Sequence, residues 1–552
     1  DSGLHQTRAR KQTRVKGYNM ENARRSTFID QAAILVVAMF FSRFLGFLYR
    51  MPMTHFIGDD GNAYYAAGFQ IYSFFWIFSS AGLPAAISKL VSERVILKRY
   101  NDAHAVFQVA LFLSVVMGIV FSLGLLFGAR HISASLSQPN SYYSMLALSP
   151  TLLIVGIMAV FRGYFQGMHT TKPTAVSQIA EQIFNAGFSV LLAYLMHGYG
   201  PEFGAAGGTA GTGIGAAAGL VTILLIYKLN SNIIHTRLKR DHLPQRESYS
   251  EIAADVFKTA WPIILGSAVF SISGMIDTAM VSNCLKASNV FDQAQIDRLY
   301  GQFSGKYITL TTLPVVISSA IAAVSIPSVA SSSALKDTAA VTAKINMGLR
   351  MAMLFTIPAA IGLSVLGEPI LKLLFPSHPD GGILLQWGGI GVIFLALAQI
   401  TTGMLQGAGR VKLPIIGAVA GSVIKIVLNI VLISNPKINV LGAVFSTIAC
   451  YLTASVIDIL FLKYVTQVKI DFMGTLIKPV ICAAGMGVAS YGAYEAAYFL
   501  SGSNAISVIT AIIFGAAVYF ICMLFFKGIV RADLRFMPMG RKLIRAMDKM
   551  SI

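Results

Sequence analysis

Residues 104–128 read HAVFQVALFLSVVMGIVFSLGLLFG, a block without Asp, Glu, Lys or Arg. As a helix rising ~1.5 Å per residue it outspans the ~30 Å hydrocarbon layer of a bilayer, so it predicts a membrane-crossing helix. Comparable apolar blocks precede it at 32–53 and 69–91. Others follow at 144–166, 175–197, 204–227, 256–282, 306–330, 345–366, 383–405, 414–433, 440–462, 476–499 and 504–526. Strands of a membrane barrel would run about ten residues with alternating polarity, a pattern these blocks lack. The expectation is an all-α integral membrane protein of about fourteen transmembrane helices.

The whole composition agrees. Of 552 residues, 55% are hydrophobic and 12% charged, and the mean hydropathy is +0.67. Soluble domains carry about a quarter charged residues, so an ordinary cytosolic enzyme, a secreted disulfide scaffold and a disordered chain are excluded. The net charge of +19 lies in short loops between the apolar blocks, the pattern of membrane orientation rather than of a nucleic-acid face. With an even helix count, most of the 43 Lys and Arg fall on one side. That predicts both termini in the cytoplasm and a bacterial plasma membrane as the location. Cys284, Cys450, Cys482 and Cys522 are scattered, with neither metal-ligand nor disulfide spacing.

The chain divides into a basic tail at 1–30, a first lobe at 31–228, a cytoplasmic linker at 229–255, a second lobe at 256–465, two further helices at 466–527 and a basic tail at 528–552. No signal peptide is read in the first tail. Met20 reads as a start, with residues 1–19 an upstream extension. The two lobes are expected from internal repetition. Leu83-Pro84-Ala85-Ala86-Ile87-Ser88 recurs as Leu313-Pro314-Val315-Val316-Ile317-Ser318, at an offset of 230. Gly163-Tyr164-Phe165-Gln166-Gly167 recurs as Gly403-Met404-Leu405-Gln406-Gly407, at an offset of 240, and Pro173 and Pro414 open the helices that follow. Matches six helices apart predict two parallel six-helix lobes related by an axis along the membrane normal, with a site between them.

A charged side chain at the bilayer centre costs at least ~2.5 kcal/mol on insertion scales, so such residues face a cavity, a partner or an interface. Arg43 and Arg50, seven residues apart, fall within about 20° of one helix face with Gly46 between them. They read as a cationic stripe lining a central cavity and suited to phosphate oxygens, which arginine binds bidentately. The alternatives are that Arg50 snorkels to the interface and that Arg43 pairs with an acid on another helix. Lys306, in Tyr300-Gly301-Gln302-Phe303-Ser304-Gly305-Lys306-Tyr307, stands near the outer mouth of the same cavity or is a solvated loop lysine. Asp277 is a candidate cation or proton site, or a counter-ion to an intramembrane arginine.

Gln178, Glu181, Gln182 and Asn185 form a polar stripe that either lines the cavity or joins helices. Lys425 and Asp458 are expected to neutralise each other, and the small residues from Gly204 to Gly219 to allow close helix packing. No phosphate loop, nucleophile elbow or zinc-protease motif appears, and no soluble segment is long enough for a nucleotide-hydrolysing domain. A membrane glycosyltransferase would need paired carboxylates on a large external loop, where 283–305 offers only Asp292 and Asp297. No cofactor is called for; membrane potential, sodium or protons remain as drives.

Several of these segments carry a family likeness. Ser42-Arg43-Phe44-Leu45-Gly46-Phe47-Leu48-Tyr49-Arg50, Ala81-Gly82-Leu83-Pro84, Phe161-Arg162-Gly163-Tyr164-Phe165-Gln166-Gly167 with Pro173-Thr174-Ala175, Gln178-Ile179-Ala180-Glu181-Gln182, and Tyr300-Gly301 before Pro314 resemble the polysaccharide-exporter branch of the multidrug/oligosaccharidyl-lipid/polysaccharide superfamily. Within it the chain is most similar to MurJ-type lipid II flippases of Gram-positive bacteria and to the stage V sporulation protein B group. The resemblance covers about residues 26–527. It implies a flippase that moves an undecaprenyl-pyrophosphate-linked peptidoglycan precursor, or a related lipid-linked polysaccharide, from the inner to the outer leaflet.

The implied partners are that lipid-linked oligosaccharide, membrane lipid, and wall-synthesis or sporulation machinery. By resemblance Arg43 and Arg50 lie in a cationic cavity, Lys306 is the nearest match to a basic residue near the eighth helix, and helices thirteen and fourteen hold the lipid tail in a groove. The chain departs from better-studied relatives in the second helix, where Phe74-Phe75-Trp76-Ile77-Phe78-Ser79-Ser80 stands in place of an arginine. A cation-coupled multidrug antiporter of the same superfamily is the alternative, and would want a carboxylate-rich cavity and twelve helices.

Overall fold

The computed structural model describes residues 41–42, 44–239, 241, 247–335 and 337–528. Among the described residues the secondary structure is entirely helical. Eleven helices are long and apolar enough to cross a membrane, or twelve if a pair bent by 52°, Gly382–Gly388 and Gly391–Gly407, is one span. The expected count of fourteen is therefore not reached by this measure. The first part of the block 32–53 lies outside the described residues, and the block 256–282 lies within the 39-residue helix Tyr249–Ala287, which is not among the eleven.

The helices used below are α1 (Arg50–Trp76), α2 (Leu83–Ile96), α3 (Tyr100–Ser135), α4 (Thr151–Gly167), α5 (Lys172–Met196), α6 (Pro201–Leu229) and α7 (Tyr249–Ala287), then α8 (Ile308–Ala334), α9 (Thr338–Val365), α10 (Gly391–Gly407), α11 (Leu413–Ile433), α12 (Leu441–Thr466), α13 (Lys478–Ser501) and α14 (Asn504–Phe525). Pro173 and Pro414 each occupy the first turn of their helix, as their place in the repeat predicts, because a missing N–H is harmless there.

α1 is two arms rather than one rod. Gly58 has φ +68°, a value that needs glycine, and the chain reverses there. Thr54 Oγ1 and Asn62 bond to each other, and the hydroxyls of Tyr49 and Tyr65 lie 3.1 Å apart. On a straight helix, sixteen residues would separate them by about 24 Å. The second arm continues through a π-helical turn at Ile77–Ala81 into α2.

Close packing follows the small residues. On α6, a Cβ at Gly207 would lie 2.6 Å from the Leu192 carbonyl, one at Gly215 2.6 Å from the Glu181 carbonyl, and one at Gly211 would collide with Ser189. α5 and α6 thus meet along a glycine face with a four-residue repeat.

The same device fixes the repeat. A Cβ at Gly163 would sit 2.9 Å from Pro84 Cα and one at Gly167 2.6 Å from Val91 Cβ; at Gly403 and Gly407 the corresponding contacts are Ala322 and Val329, both at 3.1 Å. Packing therefore aligns residue 84 with 322 and residue 91 with 329, close to the glycine offset. The Leu313-Pro314 match falls about two turns short of that register.

α2 to α6 pack chiefly on one another, and α8 to α12 do likewise, with α13 on α9 and α14 on α13. α7 bridges them, touching α1, α2 and α3 on one side and α11 on the other. Its approach is tight at Gly82, where a Cβ would lie 2.7 Å from Ile264. At the end of the bundle opposite Gly58, buried Arg94 bonds Glu247 and lies 3.4 Å from Asp255, and Arg99 lies 3.0 Å from Glu247. These contacts tie the linker ahead of α7 to the turn between α2 and α3.

Candidate functional site

A cavity of about 430 Å³ lies between the two halves. The segment before α1 contributes Gly46, Phe47 and Tyr49; the two arms of α1 contribute Arg50, Tyr65, Phe69 and Gln70. α7 contributes Gly274, Asp277 and Thr278, and the helical run from Tyr300 into α8 supplies Ser304, Thr309, Thr312 and Leu313. The reversal at Gly58 explains the first group, since it folds Tyr65 back beside Arg50. Gln70 packs against Gly274, where a Cβ would lie 2.8 Å from its amide nitrogen, so the cavity wall is also a contact between halves.

Only Arg50 and Asp277 are charged among the described residues of the lining. Arg50 lays its guanidinium over the Tyr65 ring, with Cζ 4.4 Å from the ring centre, and Nη1 is buried with no hydrogen-bond partner. Stacking on an aromatic face contributes about 0.5–2 kcal/mol and leaves the N–H edge free to donate. Asp277 is already neutralised: Lys425 Nζ donates to it at 2.7 Å and to Ser273 Oγ at 2.8 Å, and both charged side chains are buried. Among the described residues the cavity is left with one uncompensated cation, suited to an anion with oxygens in a plane.

A second cavity of about 640 Å³ opens between α8, α9, α13 and α14. Leu310, Pro314, Phe355, Pro358, Met486 and Ile512 make it apolar, and Leu313 lines both cavities. A polar chamber and a greasy groove therefore share one wall of α8.

Several sequence expectations are corrected. Lys306 does not line the cavity; it is buried with its Nζ 2.7 Å from the Asp59 carboxylate. Gln178, Glu181 and Asn185 are not part of the lining either. Arg162 Nη2 donates to Glu181 at 2.7 Å, and Asn185 Oδ1 accepts from Ser189 at 2.9 Å and from Thr212 at 3.3 Å. The stripe faces the glycines of α6 and joins helices. Gln178 Oε1 is buried without a hydrogen-bond partner.

Asp277 is a counter-ion to a lysine, not to an arginine, and the Lys425–Asp458 pair does not form. Asp458 instead accepts from Thr402 at 2.8 Å and Thr401 at 3.5 Å. Arg43 lies outside the described residues. Asp292 caps the short helix Gln293–Gly301, and Asp297 accepts from Tyr64 at 2.7 Å and Gln138 at 2.9 Å.

Tyr65, Gln70, Thr278 and Asp59 were not legible as site residues. Tyr65 becomes one only through the Gly58 reversal, and the signal for that was Gly58-Asp59-Asp60-Gly61 after an apolar block.

The family model described as polysaccharide biosynthesis protein matches residues 28–333. Stage V sporulation protein B of Bacillus subtilis is 24% identical over 530 residues, covering 94% of this chain and all of the relative. Lipid II flippase MurJ of the same organism is 26% identical over 522 residues, covering 89% of this chain and 93% of the relative. A solved structure of lipid II flippase MurJ in an inward closed conformation superposes with a TM-score of 0.64 at 17% identity, covering 89% of this chain and 98% of that one.

Proposed function

The chain belongs to the polysaccharide biosynthesis protein family, and from that premise we propose that it is a transporter, not an enzyme, carrying a lipid-linked saccharide precursor between membrane leaflets by alternating access. The observation that carries this reading is Arg50, buried in part between the halves with an Nη1 that no group among the described residues satisfies. A diphosphate cannot cross hydrocarbon unaided, and a cavity presenting a stacked guanidinium gives it planar, charge-assisted hydrogen bonds. The adjoining apolar cavity of about 640 Å³ suits the lipid tail, so head and tail pass on opposite faces of α8.

The substrate class we favour is an undecaprenyl-pyrophosphate-linked peptidoglycan precursor. The full-length likeness to a sporulation protein and to a lipid II flippase supports a wall-building role and leaves vegetative wall and spore cortex as its two settings. The direction we favour, by the likeness to a lipid II flippase, is inner to outer leaflet, with both termini on the cytoplasmic side as the lysine and arginine bias predicts. A negative-inside potential favours that export by ~2.3 kcal/mol per anionic charge per 100 mV. The drug-antiporter reading has less support, because the one acid lining the cavity among the described residues is engaged by Lys425.

The test is complementation of a conditional lipid II flippase mutant. The chain is expected to restore growth, and Arg50→Ala to reach the membrane at normal level without restoring it. Full rescue by Arg50→Ala would remove the assigned site. Failure of the unaltered chain to rescue would remove the substrate.

A further inference from the structure

At the Gly58 end the two halves meet along a glycine seam. A Cβ at Gly301 would collide with the Asp59 carbonyl, and one at Gly305 would lie 2.8 Å from Asn62 Cβ. Small residues one turn apart are what allow backbones to approach so closely. The next residue, Lys306, carries charge across the seam. Its Nζ lies 2.7 Å from one Asp59 oxygen and donates to the other at 3.0 Å. It also donates to the backbone carbonyls of His378 at 2.6 Å and Asp380 at 3.0 Å. The ammonium is fully engaged, and both side chains are buried.

Asp59 belongs to the amino-terminal half and Lys306 to the carboxy-terminal half, so an opening at this end has to part them. Two charges desolvated together hold as a pair, and separating them leaves each uncompensated in a low-dielectric setting. The seam therefore opens easily only when some other anion replaces Asp59 on Lys306. Tyr300 and Ser304 before Lys306 and Ile308 after it line the cavity, so the ion pair sits beside the chamber on the same helical run.

We propose that Asp59 and Lys306 form an exchange latch, which seals the Gly58 end of an empty transporter and is released when a phosphate-bearing head group takes the place of the Asp59 carboxylate on Lys306. The exchange step rests on the reading that the cavity receives such a head group; the seal itself does not.

Ala63, fully buried beside Gly301, supplies the reporter. In reconstituted vesicles, Ala63→Cys is labelled by a membrane-impermeant maleimide only when the seam parts, and its rate is taken above that of the parent with its four native cysteines. Asp59→Asn, which strands the Lys306 charge, is expected to speed labelling at least ~10-fold. Asp59→Asn with Lys306→Gln, which leaves two neutral partners, returns it to the slow rate. Inorganic pyrophosphate speeds labelling of Ala63→Cys alone and has no effect on the doubly neutral protein.

If Asp59→Asn does not accumulate, Lys306→Gln alone strands the carboxylate and is expected to give the same acceleration. Labelling of Asp59→Asn no faster than Ala63→Cys alone overturns the latch, as does a fast doubly neutral variant. Indifference of Ala63→Cys to pyrophosphate overturns the exchange, and the pyrophosphate-free arms judge the seal whatever the transported substrate is.

Discussion

Arg50, Asp277 and Lys425 are charges held inside apolar helices, and two different reasons make them tolerable. Arg50 rests on an aromatic ring; Asp277 and Lys425 satisfy one another. Removing one member of a buried pair costs more than the pair contributes, because the survivor is left charged and dry. Lys425→Ala is therefore expected to destabilise the protein by about 3–5 kcal/mol. Lys425→Met combined with Asp277→Leu should return most of that loss. Thermal denaturation in detergent reads both, and equal melting temperatures for single and double variants would show that the pair is not the source.

The presence of these charges was legible, since a charged residue in an apolar block stands out before any fold is known. Their partners were not. The sequence offers Asp458 as a charge to neutralise Lys425, whereas the fold turns Lys425 towards Asp277 of α7. Asp59 carries no such signal, because a Gly-Asp-Asp-Gly stretch reads as a solvated turn, and only the facing glycines bury it.

Elements were read best where a single physical rule governs them. Apolar length locates the membrane helices, proline opens α5 and α11, and the glycine content of α6 predicts close packing, which the fold directs onto α5. The rule at Gly211 is steric, so Gly211→Leu is expected to cost roughly 1–3 kcal/mol by pushing α6 off Ser189 and spreading the Asn185–Ser189–Thr212 hydrogen bonds. A denaturation midpoint unchanged by that substitution would mean that α5 and α6 do not rely on the glycine face.

Features set by tertiary contact were harder. The π-helical turns at Ile77–Ala81 and Gln302–Tyr307 have no periodicity of their own, and the bend ahead of α10 divides a block that hydropathy reads as continuous. The Leu-Pro repeat pointed to a duplication, yet its register is decided by which residues lie under Gly163 and Gly403.

At the scale of the whole molecule, two helical halves enclose a chamber that holds, among the described residues, one free guanidinium; an apolar groove shares its wall, and a buried ion pair lies at one end. Two halves with a site between them are the architecture the repeat implied. The chamber's lining was only partly foreseen, because it depends on the reversal at Gly58 and on α7 bridging the halves.

The arrangement makes charge on the cargo the deciding variable. The most direct test is translocation in proteoliposomes of a fluorescent undecaprenyl-pyrophosphate glycolipid beside an analogue of equal tail length with a neutral linkage. The expected result is transfer of the diphosphate lipid alone, weakened by added salt and abolished by Arg50→Ala. Equal transfer of the neutral analogue, or transfer by Arg50→Ala at the unaltered rate, would contradict a cationic chamber as the means of passage.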